Sequence, residues 1–200
     1  MVEIISKILG RRLNENNQEL VILIKQEKKM KIAGTMYNDC INGPGWRVTV
    51  FCSGCDILCE GCQNKHWQNF NFGEPLTKSY MNKIFKELSN DKYKGLSLMG
   101  GEPFARRNIE GMIILAQACR EKFGRTRDIW IWSGYYLKEL KRMCRWSFKK
   151  EDRKYRRNIK KLLSLCDVIV DGPFIMAQRD ITLKFRGSGN QSIIHLHHSH

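Results

Sequence analysis

Residues 47–62 read RVTVFCSGCDILCEGC, a strand pattern that runs directly into a group of cysteines. The β-branched and apolar residues at 47–51 predict a strand. The cysteines that follow it, Cys55, Cys59 and Cys62, have the spacing C-x3-C-x2-C. A [4Fe-4S] cube has four irons, so three cysteine ligands leave one iron open to bind and activate a further ligand.

A structural zinc site is the alternative interpretation of these cysteines. Cys52 stands three residues before Cys55, so four thiolates are available, and zinc can use four. However, zinc ribbons separate their two C-x2-C pairs by about a dozen residues or more, whereas these pairs are much closer. The strand also sets the direction of the Cys52 side chain. We therefore interpret the other three cysteines as cluster ligands and Cys52 as a bystander.

The composition predicts one globular domain without a membrane partner. The chain has 200 residues, of which 42% are hydrophobic, enough for a full core. No apolar run approaches membrane-spanning length, and the N-terminus lacks a secretory pattern. Eight cysteines without an export signal indicate thiols or metal ligands in a reducing cytoplasm.

The positive charge is concentrated in one part of the sequence. The formal net charge is +15, and residues 138–161 hold twelve Lys or Arg against three Asp or Glu. A solvated helix face is one interpretation of this segment, and a surface for an acidic partner is another. No motif supports direct recognition of nucleic acid, so no nucleic-acid partner is predicted.

Strand and helix patterns alternate along the chain. They predict strands at 47–51, 95–99, 128–132 and 166–170, a further strand near 181–185, and helices at 77–89, 108–123 and 135–164. This order predicts an α/β fold with a mostly parallel sheet and covering helices, either open or curled into part of a barrel. Residues 1–35 are predicted to be an N-terminal extension of unknown role, and residues 36–200 the functional domain.

The second motif is the turn Gly100-Gly101-Glu102-Pro103, which directly follows a predicted strand. Glycines let a backbone approach a ligand closely. A carboxylate beside them could receive an ammonium group. Alone, the motif indicates only a tight turn; with the cysteines, it predicts a cofactor seat at the carboxyl edge of the sheet.

These motifs together resemble those of the radical S-adenosylmethionine enzymes, and among them the activating proteins of the anaerobic (class III) ribonucleotide reductases. The resemblance covers residues 37–198 and rests on NGPGWR at 42–47, FCSGC at 51–55, the Gly-Gly-Glu-Pro turn, DIWIWSGY at 128–135, DVIVDG at 167–172 and RGSGNQ at 186–191. The chain departs from that pattern at Gln63, commonly a tyrosine, at Trp67, which comes one residue early, and at Pro173, usually a lysine.

The resemblance implies a partial (βα) barrel of the radical S-adenosylmethionine type. It implies one [4Fe-4S] cluster on Cys55, Cys59 and Cys62, with S-adenosylmethionine bound to the open iron. The implied cofactor contacts are Gly61, Cys62, Gln63, Gly100, Gly101, Glu102 and Ser133. Among these, Glu102 would lie near the ammonium, the backbone of residues 61–63 beside the adenine, and Ser133 near the ribose or carboxylate.

The activity implied by the resemblance is that of an oxidoreductase that activates a glycyl-radical enzyme. It would cleave S-adenosylmethionine reductively and use the 5′-deoxyadenosyl radical to abstract hydrogen from a glycine of the anaerobic ribonucleoside-triphosphate reductase. The implied partners are the large subunit of that reductase and a low-potential electron donor such as flavodoxin or ferredoxin.

Three alternatives remain open on the sequence. A formate-lyase-type activase would perform the same chemistry on another partner, although such proteins are usually longer. A small-molecule radical enzyme, such as a deazapurine synthase, would need its own substrate pocket. A zinc-stabilised basic module that binds nucleic acid belongs to a different class, and the metal content of the protein would distinguish it.

Overall fold

The computed structural model describes residues 30–145 and 150–196, which form a seven-stranded sheet with helices packed against it. The strands are β1 (Lys31–Asp39), β2 (Trp46–Cys52), β3 (Glu74–Pro75), β4 (Tyr93–Gly100), β5 (Asp128–Ser133), β6 (Val168–Asp171) and β7 (Ser192–His195). The helices are α1 (Lys78–Leu88), α2 (Ile109–Phe123), α3 (Leu137–Met143) and α4 (Lys150–Leu165), and short 3-10 turns span Lys65–Gln68 and Met176–Gln178.

The centre of the sheet is parallel. The strand order is β3-β1-β2-β4-β5-β6-β7, and β2, β4, β5 and β6 run in the same direction. The outer strands β3, β1 and β7 pair antiparallel with their neighbours. Parallel neighbours need a crossover, and α1, α2 and the α3–α4 pair provide the three crossovers. The predicted α/β fold with a mostly parallel sheet is therefore confirmed.

A buried arginine joins the amino ends of the central strands. Arg47, at the start of β2, is fully buried, and its Nη2 lies 2.7 Å from a carboxylate oxygen of Asp128 on β5. Its Nε donates to Ser97 Oγ on β4 at 2.6 Å. Because the guanidinium of this β2 residue contacts both β4 and β5, it fixes the relative positions of the three strands at the edge opposite the strand-end glycines. An unpaired charge at this depth would cost several kcal/mol, on the order of 3 to 5.

Two predicted elements differ from the structure. Residues 181–185 form turns, and the strand beside β6 is β7. The carbonyl of Phe185 accepts a hydrogen bond from Trp132 Nε1, and Phe185 has a φ of 64°, so this segment crosses the end of the sheet and does not extend it. The helix predicted at 135–164 is two helices, α3 and α4, and residues 146–149 between them lie outside the described ranges.

The sheet begins earlier in the chain than the sequence suggested. β1 starts at Lys31, so residues 31–35 of the predicted extension pair with β2 between Ile32↔Cys52 and Thr35↔Val50. The alternation of buried and exposed residues in β1 is weak, and its neighbours in the sheet hold it in place. The rest of the predicted extension, residues 1–29, lies outside the described residues. None of the helices described here has the length and apolar character needed to span a membrane.

Candidate functional site

One cleft of about 410 Å³ opens at the carboxyl ends of the parallel strands. Small-molecule sites usually measure about 300–1,000 Å³. Its lining includes eight residues that the sequence singled out: Cys55, Cys59, Cys62, Gln63, Gly100, Gly101, Glu102 and Ser133. The strand ends bring these residues together from three separate parts of the chain.

The cysteine loop, residues 53–63, forms the first wall of the cleft. Hydrogen bonds fix its beginning, where the Gly54 N–H donates to the Trp67 carbonyl at 2.6 Å and the Cys55 N–H donates to the Gln68 carbonyl at 3.1 Å. Cys55, Cys59 and Cys62 are all partly exposed. Their sulfur atoms therefore belong to a loop that is anchored at one end and open to the cleft.

Burial favours the protonated form of two thiols in this loop, those of Cys55 and Cys59. It raises the pKa of Cys55 to about 11, although backbone N–H groups of Leu58 and Ile57 favour the thiolate. It also raises the pKa of Cys59, although the nearby backbone N–H of Phe174 favours the thiolate. Metal ligation requires the thiolate, so iron must displace these protons.

The three thiols of this loop do not converge on one point in this structure. Within residues 30–145 and 150–196, no three His, Cys, Asp or Glu side chains are grouped so that they could hold one metal ion. In a four-iron cluster each cysteine binds a different iron, so its thiolates need not converge on one point. A donor set of three thiols along one loop has the chemistry of such a cluster.

Cys52 lies apart from these three cysteines. It is fully buried at the end of β2, with its sulfur 3.6 Å from Asn108 Nδ2, and it does not line the cleft. Burial raises the pKa of its thiol well above the usual range. Of the remaining cysteines, Cys40 is exposed, and Cys119, Cys144 and Cys166 are buried in the core or close to it.

The glutamate turn, residues 100–104, forms the second wall. The Gly101 N–H donates to the Cys52 carbonyl at 2.7 Å, and the Glu102 N–H donates to the Gly54 carbonyl at 2.8 Å. A Cβ on Gly101 would overlap the carbonyl oxygen of Gly54. The two walls approach so closely that only glycine fits at this position.

The carboxylate of Glu102 is buried and hydrogen-bonded through both of its oxygens. Its Oε1 accepts from the Phe104 N–H and from Ser133 Oγ, both at 2.9 Å, and its Oε2 accepts from the Gly134 N–H at 2.8 Å. Burial raises the pKa of Glu102 to about 7, and these donors offset part of the effect. Near neutral pH the group can be acid or anion, and a cation in the cleft would favour the anion.

A third wall comes from the segment after β6. The motif at residues 186–191, here called the clasp, ties this segment to the sheet through Gln191. Its Oε1 accepts from the Gly187 and Ser188 N–H groups at 2.8 and 3.2 Å, and its Nε2 donates to the Gly172 carbonyl at 2.9 Å. One side chain therefore links the clasp to the end of β6.

The clasp holds residues 173–185 against the cysteine loop. Asn190 Nδ2 donates to the Pro173 carbonyl at 2.8 Å, which fixes the start of this segment. From there the Phe174 N–H reaches the Cys59 sulfur. Met176 packs so closely on Gly61, whose φ is 67°, that a Cβ on this glycine would overlap its methyl group. Gly61 thus contacts this segment and is not among the residues that line the cleft.

Sequence reasoning missed several residues of the cleft wall, namely Asn64, Trp132, Phe174, Arg179, Arg186 and Gln191. Three of them lie in quoted motifs, Arg186 and Gln191 in RGSGNQ and Trp132 in DIWIWSGY, but these motifs indicated a family and no role. Ser133 does line the cleft, and its hydroxyl donates to Glu102.

Comparison with known proteins agrees with this geometry. Residues 41–194 match the family model of a 4Fe-4S single cluster domain. The chain is 36% identical over 160 residues to the anaerobic ribonucleoside-triphosphate reductase-activating protein of Escherichia coli K12, an alignment that covers 79% of this chain and 94% of that protein. The protein of the same name from Vibrio cholerae is 38% identical over 157 residues, with coverage of 78% and 91%.

A viral relative gives the same result. The anaerobic ribonucleoside-triphosphate reductase-activating protein of Enterobacteria phage T4 is 31% identical over 157 residues, which cover 78% of this chain and 87% of that protein. Bacterial and viral relatives therefore both align with most of the chain. The chain belongs to the family of anaerobic ribonucleoside-triphosphate reductase-activating proteins.

Proposed function

We propose that this chain activates an anaerobic ribonucleoside-triphosphate reductase by generating a radical on one of its glycines. The observation that carries the proposal is the single cleft that joins the three partly exposed cysteines to the glutamate turn. When bound there, a reduced [4Fe-4S] cluster would supply one electron to the sulfonium of S-adenosylmethionine, giving methionine and a 5′-deoxyadenosyl radical that takes a hydrogen atom from the glycine.

The donor set supports one cluster with one open iron. Cys55, Cys59 and Cys62 would hold it, because they are the cysteines that line the cleft within the described part of the chain. Iron–sulfur clusters are held by thiolates, and the partly buried loop limits access of water to them. The amino and carboxylate groups of S-adenosylmethionine would occupy the fourth iron.

The glutamate turn would orient the methionine end of the cofactor. Gly100 and Gly101 have no side chains that would keep a ligand away from the backbone. The anionic form of Glu102, held in place by its three donors, would accept a hydrogen bond from the amino group of S-adenosylmethionine. We propose that Ser133 orients the carboxylate of Glu102. A contact between Ser133 and the ribose or carboxylate of S-adenosylmethionine stays a prediction.

The cysteine loop would orient the adenosine end. The backbone of residues 61–63 is proposed to pass beside the adenine, with Cys62 and Gln63 at the cleft wall and Gly61 supporting them from outside the lining. The contact of Met176 with Gly61 supports a fixed backbone at this point. Together the three walls would shield the cofactor from water.

The finer architecture belongs to the same proposal. We assign the sheet to the partial (βα) barrel class, supported by its parallel centre and by a cleft at the carboxyl ends of its strands. Residues 36–200 would then form the activase domain. We place the protein in the cytoplasm, where thiols stay reduced, with a flavodoxin or ferredoxin as electron donor.

Electron paramagnetic resonance on an anaerobic mixture tests the proposal. The mixture contains the cluster-loaded protein, its reductase, dithionite and S-adenosylmethionine. We expect a glycyl radical doublet on the reductase, and no doublet when S-adenosylmethionine is omitted. An intact cluster that cleaves the cofactor without producing this doublet would contradict the choice of partner, whereas an intact cluster without cleavage would contradict the chemistry.

A further inference from the structure

A second cavity, of about 540 Å³, reaches the cysteine loop without passing through the cleft. The two cavities share no lining residue: Cys55 lines the cleft, and the next residue, Asp56, lines the second cavity. Tyr135, Tyr155 and Arg107 also line it. The loop that holds the proposed ligands therefore has a separate approach from outside.

The walls of this cavity contact both the cysteine loop and the glutamate turn. Tyr135 Oη lies 3.5 Å from a carboxylate oxygen of Asp56, next to the ligand Cys55. Tyr155 Oη donates to the Phe104 carbonyl at 2.7 Å. A molecule bound at the mouth would thus lie over Tyr135 and Tyr155, which contact the cysteine loop and the glutamate turn. It would not block the cleft.

The mouth of the cavity is basic. Arg106 and Arg107, both exposed, line it directly. Arg142, Arg145 and Arg153 do not line the cavity, but they are exposed and lie within two residues of the lining residues Met143 and Asp152, so they add positive charge to the same part of the chain. Exposed charges of one sign attract oppositely charged partners and raise their association rate.

The interior carries both signs of charge, which argues against a small anion as the occupant. Asp56 and Asp152 line the cavity, and Asp152 lies 2.6 Å from Arg106 Nη2. A small anion would have to enter between these carboxylates. A protein with an acidic surface would instead cover the mouth, where Arg106 and Arg107 are exposed.

We propose that this arginine-rimmed cavity docks an acidic one-electron donor protein. The inference rests on the proposed function, which requires one electron for each cleavage: the donor loses one electron and the cluster gains it. The donor needs access to the cluster but not to the cleft, whereas the glycine of the reductase needs the cleft. The cleft would therefore serve the reductase and the second cavity the electron donor. The basic segment at residues 138–161 would help to attract this donor.

Stopped-flow reduction of the oxidised cluster by flavodoxin hydroquinone, an acidic one-electron donor, tests the inference. The test variant is Arg142→Glu/Arg145→Glu/Arg153→Glu in the cluster-loaded protein. The control, Lys78→Glu/Lys83→Glu/Lys86→Glu, makes the same charge change on exposed residues of α1. At low salt we expect the second-order rate constant to fall at least about tenfold in the test variant and less than about twofold in the control. Near 0.5 M salt, roughly, the difference should vanish.

Dithionite provides the second measurement because it needs no docking surface. We expect both variants and the wild type to be reduced by dithionite, and to cleave S-adenosylmethionine, at similar rates. Equal slowing of the flavodoxin reaction in both variants would overturn the inference, since net charge and not this surface would then control the rate. Slower dithionite reduction in the test variant would overturn it too, because the arginines would then act on the cluster itself. Loss of cleavage with dithionite in the wild type would instead refute the proposed function.

A single-stranded oligonucleotide distinguishes the other class of acidic partner. Fluorescence anisotropy should show binding that both charge-reversed variants weaken to a similar degree. If the test variant alone lost oligonucleotide binding while its rate with flavodoxin stayed unchanged, the surface would bind nucleic acid and the inference would be wrong.

Discussion

The cysteine loop and the glutamate turn face each other across one cleft, but they are built differently. The three cysteines of the loop are partly exposed, and the pKa values of Cys55 and Cys59 are raised by burial. Glu102 in the turn is 1% exposed, with a donor on each carboxylate oxygen. The thiols of the loop reach their final state only when they bind metal. The carboxylate of the turn is already held by hydrogen bonds before any ligand binds.

The difference follows from what each wall must bind. Thiolates gain their partner from the metal, so hydrogen bonds that fully satisfied them beforehand would compete with ligation. A carboxylate that receives the amino group of a cofactor gains from fixed donors, because they set the direction of the carboxylate without reorganisation on binding. Substitutions in the loop should therefore remove the cofactor, and substitutions in the turn should act on stability and on protonation.

The largest effect is expected for Cys59→Ala. Loss of one of three thiolates should remove the cluster, so iron should fall from about four per chain to near zero. Cys144→Ala is the matched control, because Cys144 is buried but does not line the cleft. Iron analysis and absorbance after anaerobic reconstitution measure both variants. Equal iron content in the two would contradict the ligand assignment.

Gly101→Ala should disrupt the contact between the two walls. The new Cβ would overlap the Gly54 carbonyl oxygen, so the backbone must move, at a cost of about 4 kcal/mol in the free energy of unfolding. Gly34→Ala is the control, because a Cβ there meets no atom within 4 Å. Urea denaturation measures both. A loss below about 1 kcal/mol for Gly101→Ala would show that the walls can separate easily.

Glu102→Gln should change how stability depends on pH. Burial raises the pKa of Glu102 from 4.5 to about 7, so the folded state holds a proton that the unfolded state releases. The resulting stabilisation is complete below about pH 4.5 and is lost as pH rises through about 7, a change on the order of 3 kcal/mol.

The glutamine cannot titrate, so the free energy of unfolding of Glu102→Gln should fall less between pH 5 and 8 than that of the wild type. Urea denaturation at both pH values measures the difference in the cluster-free protein. Glu87→Gln, an exposed change on α1, should keep the wild-type dependence. Identical slopes for wild type and Glu102→Gln would mean that Glu102 stays charged throughout.

The comparison also shows what the sequence could predict. Cysteine spacing and strand-end glycines are local signals, and parallel strands carry their ends to one edge, so both walls could be placed from sequence. The strand β1 was missed because its alternation of buried and exposed residues is weak. Ile181, apolar but 85% exposed, favoured a strand that the structure does not have.

The clasp could not be predicted for a different reason. Gln191 acts through hydrogen bonds to Gly172 and to the start of its own motif, and Asn190 acts on Pro173. Such contacts depend on the tertiary arrangement, and no pattern of hydrophobicity or spacing reports them. The family resemblance marked the motif but gave no physical role for it.

The smallest effect is expected for Gln191→Ala, which tests whether the position of the cysteine loop depends on the clasp. Loss of its hydrogen bonds should lower the free energy of unfolding by about 1 to 2 kcal/mol. Residues 173–185 should then release the Cys59 sulfur and Gly61, while the bonds of Glu102 stay intact. Hydrogen exchange should therefore accelerate in residues 53–63 and remain unchanged in residues 100–104. The control Ser192→Ala, an exposed change on β7, should alter the exchange of neither segment. Equal acceleration in both walls would mean that the glutamate turn also depends on the clasp and is not organised independently.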